Sequence, residues 1–197
     1  MRSTVPDAVE AVRAGGLVVL PTDTVYGMGC DPANAAAIDR LFEAKRRPRS
    51  LVLPVLVDGV AAAERLAPMD DRAHRLAERF WPGALTLVLP RSEESASWTL
   101  GAKQGQARDT IGLRVPASDN ALELLAASGP LAVTSANLSG APTPATCEEV
   151  RAVFAAAVAV YLCSDEQIAG RASTVVDVAG RRILREGDLA EEVAELL

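Results

Sequence analysis

A cluster of basic side chains is the first feature of the sequence that could do chemistry. The cluster occupies five positions of a chain that is acidic overall, and its members are Lys45, Arg46, Arg47 and Arg49. Lys45 follows Leu41 by four residues, which places it on the inner face of a helical pattern. Cations at a helix end also complement the helix dipole, but each contributes only about 0.3–1 kcal/mol. The dipole does not explain four cations together, so the cluster predicts a site for phosphate or carboxylate.

Another arginine lies inside an apolar segment that is typical of a strand. Residues 111–115 read Ile-Gly-Leu-Arg-Val. Because side chains alternate along a strand, Thr110, Gly112 and Arg114 share one face. Such a face is unusual for a core and fits the wall of a cavity. A structural salt bridge explains Arg114 equally well.

Two polar segments directly follow predicted strands. Residues 21–30 read Pro-Thr-Asp-Thr-Val-Tyr-Gly-Met-Gly-Cys, and residues 134–140 read Thr-Ser-Ala-Asn-Leu-Ser-Gly. Strand ends are where open α/β sheets bind ligands. Taken alone, the first segment slightly favours an ordinary strand-to-helix turn, and the second could cap a following helix or turn.

Several kinds of catalytic site have no signature in this chain. There is no P-loop, no complete dinucleotide-binding fingerprint and no nucleophile elbow. The one histidine, His74, lies in a surface-type helical pattern. Nucleophilic catalysis by Ser–His or Cys–His is therefore disfavoured, and catalysis would depend on positioning and charge stabilisation.

Composition excludes further classes of function and of site. The 197 residues carry 20 Lys and Arg against 26 Asp and Glu, a net charge of −6. This balance argues against binding nucleic acid by bulk charge. The three cysteines are widely spaced, which predicts neither a zinc site nor a disulfide framework and fits a reducing cytoplasm. We expect no membrane-spanning segment and no secretory signal.

The elements that must position these residues alternate between strands and helices. Strands are predicted at 16–21, 53–57, 85–89, 111–115, 131–134, 158–162, 174–178 and 182–184. Helices are predicted at 34–45, 70–80, 120–127, 147–157 and from 188 onward. This alternation predicts an α/β fold with an open twisted mixed sheet, flanking helices and a central ligand cavity, in a single domain over 1–197. Residues 91–109 lack a period and are predicted to form a mobile lid.

Six motifs in this order resemble the YrdC/TsaC family of L-threonylcarbamoyladenylate synthases. They are Pro-Thr-Asp-Thr-Val-Tyr-Gly-Met-Gly (21–29), Ala-Lys-Arg-Arg-Pro (44–48), Trp-Pro-Gly-Ala-Leu-Thr-Leu-Val-Leu (81–89), Gly-Leu-Arg-Val-Pro (112–116), Ser-Ala-Asn-Leu-Ser-Gly (135–140) and Ser-Thr-Val-Val-Asp (173–177). The match extends from about residue 10 to about residue 187. The resemblance implies synthesis of threonylcarbamoyl-AMP from L-threonine, bicarbonate and ATP, with release of pyrophosphate.

The resemblance also implies the roles of individual residues. The L-threonine site would comprise Thr24, Arg114 and Ser135, with Arg114 on the carboxylate. The ATP site would comprise Lys45, Arg47, Thr110, Asn137, Thr143, Ser173 and Arg185, of which Lys45 and Arg47 would act on the phosphates as catalytic residues. Tyr26 is expected to line the pocket. Mg²⁺ is expected to arrive with ATP, without a dedicated protein site.

One position of this chain departs from the family pattern. Many members carry a histidine where this chain has Leu56. The product would pass to partner proteins that modify adenosine 37 of tRNA, and weak tRNA contact is also expected.

Two alternative functions stay open. The first alternative is an RNA-binding or regulatory module of the same fold. The second is the related domain of hydrogenase-maturation carbamoyltransferases, which are far longer and carry zinc-finger parts.

Overall fold

The computed structural model describes residues 3–101, 109–168 and 170–197. Nine strands occur in these ranges: β1 Val18–Leu20, β2 Gly27–Cys30, β3 Val55–Leu56, β4 Leu85–Pro90, β5 Thr110–Arg114, β6 Leu131–Ser135, β7 Val160–Tyr161, β8 Thr174–Asp177 and β9 Arg182–Arg185. Eight α-helices accompany them: α1 Val5–Arg13, α2 Ala35–Ala44, α3 Val60–Leu66, α4 Asp71–Phe80, α5 Glu93–Ala96, α6 Asp119–Ser128, α7 Cys147–Phe154 and α8 Ala190–Ala194. A 3₁₀ turn, Ala155–Ala157, follows α7.

The strands form one mixed sheet in the order β7-β1-β2-β6-β3-β5-β4-β8-β9. Three pairs are parallel, namely β7 with β1, β3 with β5 and β4 with β8. The other five neighbouring pairs are antiparallel. The predicted α/β class with a mixed sheet and flanking helices is confirmed.

The helices cover the two faces of the sheet unequally, and this leaves room for a cavity. The larger core joins α2, α3, α4, α7 and α8 to one face. On the other face, α1 and α6 pack over β1 and β6, together with Leu56 of β3. The described residues of β4, β5, β8 and β9 contribute nothing to this second core. That part of the second face therefore stays open to a ligand.

Helix ends follow local rules that the sequence already displays. The Asn34 side chain accepts a hydrogen bond from the Ala37 N–H, and the Asp70 side chain accepts one from the Ala73 N–H. Both are N-caps, which typically stabilise a helix by about 1 kcal/mol. Lys45 is the C-cap of α2, so the basic cluster begins where that helix ends.

The structure corrects the interpretation of residues 91–109. Residues 93–96 form the short helix α5, and Ser95 Oγ donates a hydrogen bond to the Leu66 carbonyl at 2.7 Å. Leu100 is fully buried, and its carbonyl accepts from the Leu53 N–H at 2.8 Å. The first half of this segment is therefore packed against the fold. Residues 102–108 of the predicted lid lie outside the described residues.

The cysteine interpretation was also wrong, because Cys147 and Cys163 form a disulfide with Cα atoms 5.4 Å apart. Sixteen positions separate them. Their spacing does not reveal that the first turn of α7 lies beside the chain just after β7. Cys30 remains a free, buried thiol, and burial raises its pKa to about 12.

Candidate functional site

A cavity of about 370 Å³ lies on the partly uncovered face of the sheet. Strand residues two apart line it, such as Thr86 with Val88 and Thr110 with Gly112, as expected for side chains of one sheet face. Polar groups from the loops after β1 and before β8 complete the wall. The volume falls in the range of roughly 300–1,000 Å³ that is typical of small-molecule sites.

Arg114 enters the cavity from β5 and is only 6% exposed. Its Nη2 donates to Asp23 Oδ1 at 2.6 Å, and its Nη1 donates to Thr24 Oγ1 at 3.0 Å. Burial lowers the pKa of Arg114, whereas Asp23 raises it. Both interpretations of this strand face are therefore correct, since Thr110, Gly112 and Arg114 line the cavity and Arg114 also forms an ion pair.

The basic cluster divides among the interior, the cavity and the surface, where Arg46 and Arg49 are exposed. Arg47 lines the cavity, while its Nε donates to the Leu51 carbonyl at 3.1 Å. Lys45 is not among the residues that line the cavity. It is 1% exposed, and its Nζ donates to the backbone carbonyls of Ser135 and Asn137. Burial lowers the pKa of Lys45 to about 7, and the charge of Arg47 contributes.

A third arginine approaches the cavity from the edge strand β9. Arg185 donates from Nε to the Ser173 carbonyl at 3.0 Å and from Nη2 to Ser173 Oγ at 2.9 Å. Ser173 Oγ lies 2.8 Å from Thr86 Oγ1. Burial lowers the pKa values of Arg47 and Arg185, and each is lowered further by another arginine, Arg185 for Arg47 and Arg114 for Arg185. Three guanidinium groups thus share one cavity, and no carboxylate is among the described residues that line it.

The turn after β6 is held by its own polar groups. Ser135 Oγ donates to Asn137 Oδ1 at 2.5 Å, and Asn137 Nδ2 donates to the carbonyls of Leu138 and Ala141 at 2.9 and 2.6 Å. Ser135 lines the cavity, whereas Asn137 does not. The amide of Asn137 therefore stabilises the turn that carries Ser135.

Seven of the ten residues expected at the substrate sites line the cavity. They are Thr24, Arg47, Thr110, Arg114, Ser135, Ser173 and Arg185. Lys45, Asn137 and Thr143 do not. The first two are engaged with the β6 turn, and Thr143 lies in the loop between β6 and α7.

Tyr26 was predicted to line the pocket, and this was wrong. Its side chain is fully buried in the larger core, where its hydroxyl accepts from the Ser164 N–H at 3.0 Å. The neighbouring residues Val25 and Gly27 line the cavity instead. Segment 21–30 was interpreted either as a ligand site or as an ordinary turn; its last four residues form strand β2. Tyr26 directly precedes β2 and lies on the opposite side of the chain from Val25 and Gly27.

Two threonines at the cavity were missed by sequence reasoning. Thr22 Oγ1 lies 3.0 Å from Thr24 Oγ1 and donates to the Val25 carbonyl at 2.6 Å. Thr86 belongs to β4, which reads as an apolar core strand. A signal was available, because a lone hydroxyl in such a strand points to a polar partner on that face.

No group of three or more His, Cys, Asp or Glu that could hold a metal ion occurs among residues 3–101, 109–168 and 170–197. Within the same ranges, no helix combines the length and the apolar character needed to cross a membrane.

A family model described as Sua5_yciO_yrdC, Telomere recombination, matches residues 10–187. The chain belongs to the Sua5/YciO/YrdC family. The predicted extent of the resemblance is thereby confirmed. A relative from Mycobacterium tuberculosis, named putative threonylcarbamoyl-AMP synthase, is 45% identical over 96% of this chain and 87% of its own length. A threonylcarbamoyl-AMP synthase of Pyrococcus abyssi is 38% identical over 95% of this chain.

Solved structures of Sua5/YciO/YrdC proteins share the fold. The crystal structure of Pyrococcus abyssi Sua5 complexed with L-threonine aligns with a TM-score of 0.87 and 36% identity over 98% of this chain. Escherichia coli YciO aligns with a TM-score of 0.80 and 28% identity, covering 94% of this chain and 90% of its own. The chain spans about half the length of the Pyrococcus proteins, 55% of the relative and 57% of the solved chain.

Proposed function

We propose that this protein makes threonylcarbamoyl-AMP from L-threonine, bicarbonate and ATP, with release of pyrophosphate. The cavity carries the proposal, because three arginines line it without a carboxylate among its described lining residues. Such a wall neutralises a triphosphate and an amino acid carboxylate together. The names of the similar proteins point to the same reaction.

The nucleophile in this reaction comes from the substrate. The threonine amine combines with bicarbonate to give a carbamate, with loss of water. A carbamate oxygen then attacks the α-phosphorus of ATP, the bond to the bridging oxygen of the β-phosphate breaks, and pyrophosphate leaves. This chemistry requires no activated Ser, Cys or His. It requires donors that stabilise the charge of the transition state, each of which typically contributes about 3–4 kcal/mol.

We propose for the individual residues the roles that the family resemblance implies. Arg114, Thr24 and Ser135 hold L-threonine, with Arg114 on its carboxylate. Arg47, Arg185, Ser173 and Thr110 hold ATP, and all seven residues line the cavity. Lys45 acts with Asn137 on the turn that carries Ser135, and Thr143 remains a proposed ATP contact from the loop before α7.

Mg²⁺ is proposed to enter as part of the ATP complex, as substrate and not as a resident ion. The described residues offer no cluster that would hold it alone. We propose that the protein works in the cytoplasm and delivers its product to proteins that modify tRNA, and that any tRNA contact is weak. The alternative of an RNA-binding module is not favoured, since similar proteins at 32–45% identity carry synthase names.

Pyrophosphate release tests the proposal directly. The protein is incubated with ATP, Mg²⁺ and bicarbonate, with and without L-threonine, and with L-serine as a control. Release that depends on threonine and bicarbonate is expected. Release that ignores threonine, or no release while ATP still binds, would contradict the proposed reaction.

A further inference from the structure

Three of the five N–H groups of Arg114 are already used by the protein. Nε donates to the Gly83 carbonyl at 2.9 Å, Nη1 to Thr24 Oγ1 and Nη2 to Asp23 Oδ1. A guanidinium has five N–H donors. The other two have no acceptor among the described residues, and two is the number that a bidentate carboxylate accepts.

Asp23 is held by the backbone as well as by Arg114. Its Oδ1 also accepts from the Ala117 N–H at 3.0 Å, and its side chain is 16% exposed. The Ser118 hydroxyl donates to the Pro21 carbonyl at 2.9 Å, so Pro21 and Asp23 are both tied to the chain that follows β5. The Asp23 carboxylate thus stays on Arg114.

The Gly83 carbonyl comes from the Trp-Pro-Gly motif, to which sequence analysis gave no role. The Gly83 N–H donates to the Val115 carbonyl at 2.9 Å, and Trp81 Nε1 donates to the Leu85 carbonyl at 2.8 Å. The motif therefore holds an acceptor beside the residue that follows Arg114. It fixes the Nε edge of the guanidinium.

The three cavity arginines consequently differ in charge environment. The charge of Arg114 is balanced by its ion pair with the Asp23 carboxylate. The described residues offer Arg47 and Arg185 no ion-pair partner. A compensated arginine attracts a polyphosphate less than an uncompensated one does. It can still bind a single carboxylate by geometry.

We propose that Asp23 is a positioning residue that determines which anion binds where, reserving Arg114 for the amino acid carboxylate and leaving polyphosphate to Arg47 and Arg185. This inference rests on the proposed function, in which Arg114 receives the carboxylate of L-threonine. It adds that Asp23 makes one cavity discriminate between two anionic groups, the amino acid carboxylate and the polyphosphate.

Asp23→Asn tests this inference because the variant removes the charge but keeps an oxygen for the Ala117 N–H. The affinity for L-threonine is measured by calorimetry, with and without inorganic pyrophosphate. In the wild type, pyrophosphate should change the threonine Kd by less than about twofold. In Asp23→Asn, we expect threonine alone to bind about as it does in the wild type, because the asparagine oxygen still positions Arg114, whereas pyrophosphate should compete and raise the threonine Kd roughly tenfold.

Asp39→Asn is the matched control, because Asp39 forms an exposed ion pair with Arg49 on the surface of α2. It should bind threonine like the wild type. If Asp23→Asn does not fold, as judged by circular dichroism, Asp23→Ser replaces it, since a hydroxyl can also accept from the Ala117 N–H. A threonine Kd in Asp23→Asn that pyrophosphate changes by less than about twofold, as in the wild type, would overturn the inference. So would weaker threonine binding without competition from pyrophosphate, because that result indicates a merely structural role.

The two proposals fail in different ways. If the wild type binds threonine but releases no pyrophosphate with it, the proposed reaction is wrong, while the binding experiment still decides the role of Asp23. If turnover is normal and pyrophosphate never competes with threonine in Asp23→Asn, only the discrimination is wrong.

Discussion

Lys45 Nζ donates a hydrogen bond to the backbone carbonyl of Asn137, which lies 92 positions later in the chain and 2.5 Å away. The same amine donates to the Ser135 carbonyl, and the Ser139 N–H donates to the Lys45 carbonyl at 3.0 Å. The end of α2 is thereby joined to the turn after β6. In the described part of the chain, Lys45 takes part in no ion pair, so its charge is balanced by carbonyl dipoles.

Lys45→Met should reduce turnover by roughly 100-fold while the protein stays folded. Methionine fills a similar space but leaves the carbonyls of Ser135 and Asn137 without their donor, so Ser135 moves relative to the cavity. Threonine-dependent pyrophosphate release measures the effect, and circular dichroism checks the fold. Arg46→Met is the control, since Arg46 is exposed. Wild-type turnover in Lys45→Met would contradict a role for the amine.

The lowered pKa of Lys45 predicts a pH dependence of stability. Its pKa falls from 10.5 to about 7 in the folded protein. Between these values the unfolded chain holds a proton that the folded chain lacks, so Lys45 makes the free energy of unfolding rise with pH. Urea unfolding at about pH 7 and about pH 9 should show this gain in the wild type. Lys45→Met should lack it, and equal gains in both proteins would contradict the prediction.

Arg47→Ala and Arg185→Ala should each raise the KM for ATP by roughly 10- to 100-fold. Both residues line the cavity and have no ion-pair partner among the described residues, so their charge is available for phosphates. The KM for L-threonine should change much less. Steady-state kinetics with each substrate varied in turn measures both constants, and Arg46→Ala serves as the surface control. A larger effect on threonine than on ATP would reverse the assignment.

The packing of residues 92–100 predicts slow exchange of two amides that join this segment to the rest of the fold. The Leu53 N–H donates to the Leu100 carbonyl at 2.8 Å, and the Ser92 N–H donates to the Leu66 carbonyl at 2.9 Å. Because Leu100 is fully buried, these bonds open only with the surrounding core. Hydrogen exchange followed by mass spectrometry should find both amides protected without ligand. Rapid exchange at Leu53 would show that the whole segment opens.

The disulfide between Cys147 and Cys163 should stabilise the fold by about 3 kcal/mol, the value typical of a loop of about 15 residues. Cys147→Ser should therefore unfold at lower urea concentration than the wild type under non-reducing conditions. With a thiol reductant present, the two proteins should converge. A difference that persists in reductant would mean that Cys147 acts through packing and not through the bond.

Patterns within a single element predicted both the fold and much of the site. Alternation along β5 placed Thr110, Gly112 and Arg114 on one face, and all three line the cavity. The helical spacing from Leu41 placed Lys45 inward, and it is 1% exposed. Each of these predictions needs only the geometry of one helix or one strand.

Relationships between distant segments could not be predicted in this way. The sequence shows that Lys45 points inward, but not that its partners are the carbonyls of Ser135 and Asn137. Asp23 stands in a recognised motif, yet its pairing with Arg114 depends on contact between residues 91 positions apart. The helix α1 was missed altogether, although Thr4 and Asp7 form a capping box at its start.

The mutual repulsion of the cavity arginines links the stability of the protein to the composition of its buffer. In the folded state alone, Arg185 lowers the pKa of Arg47, and Arg114 lowers the pKa of Arg185. An inorganic polyanion that enters the cavity relieves this repulsion and binds only the folded chain. Melting temperatures measured in phosphate should thus exceed those in a cationic buffer. The melting temperatures of variants of these arginines must be compared in the same buffer, because otherwise a change caused by the bound anion would be attributed to the substitution.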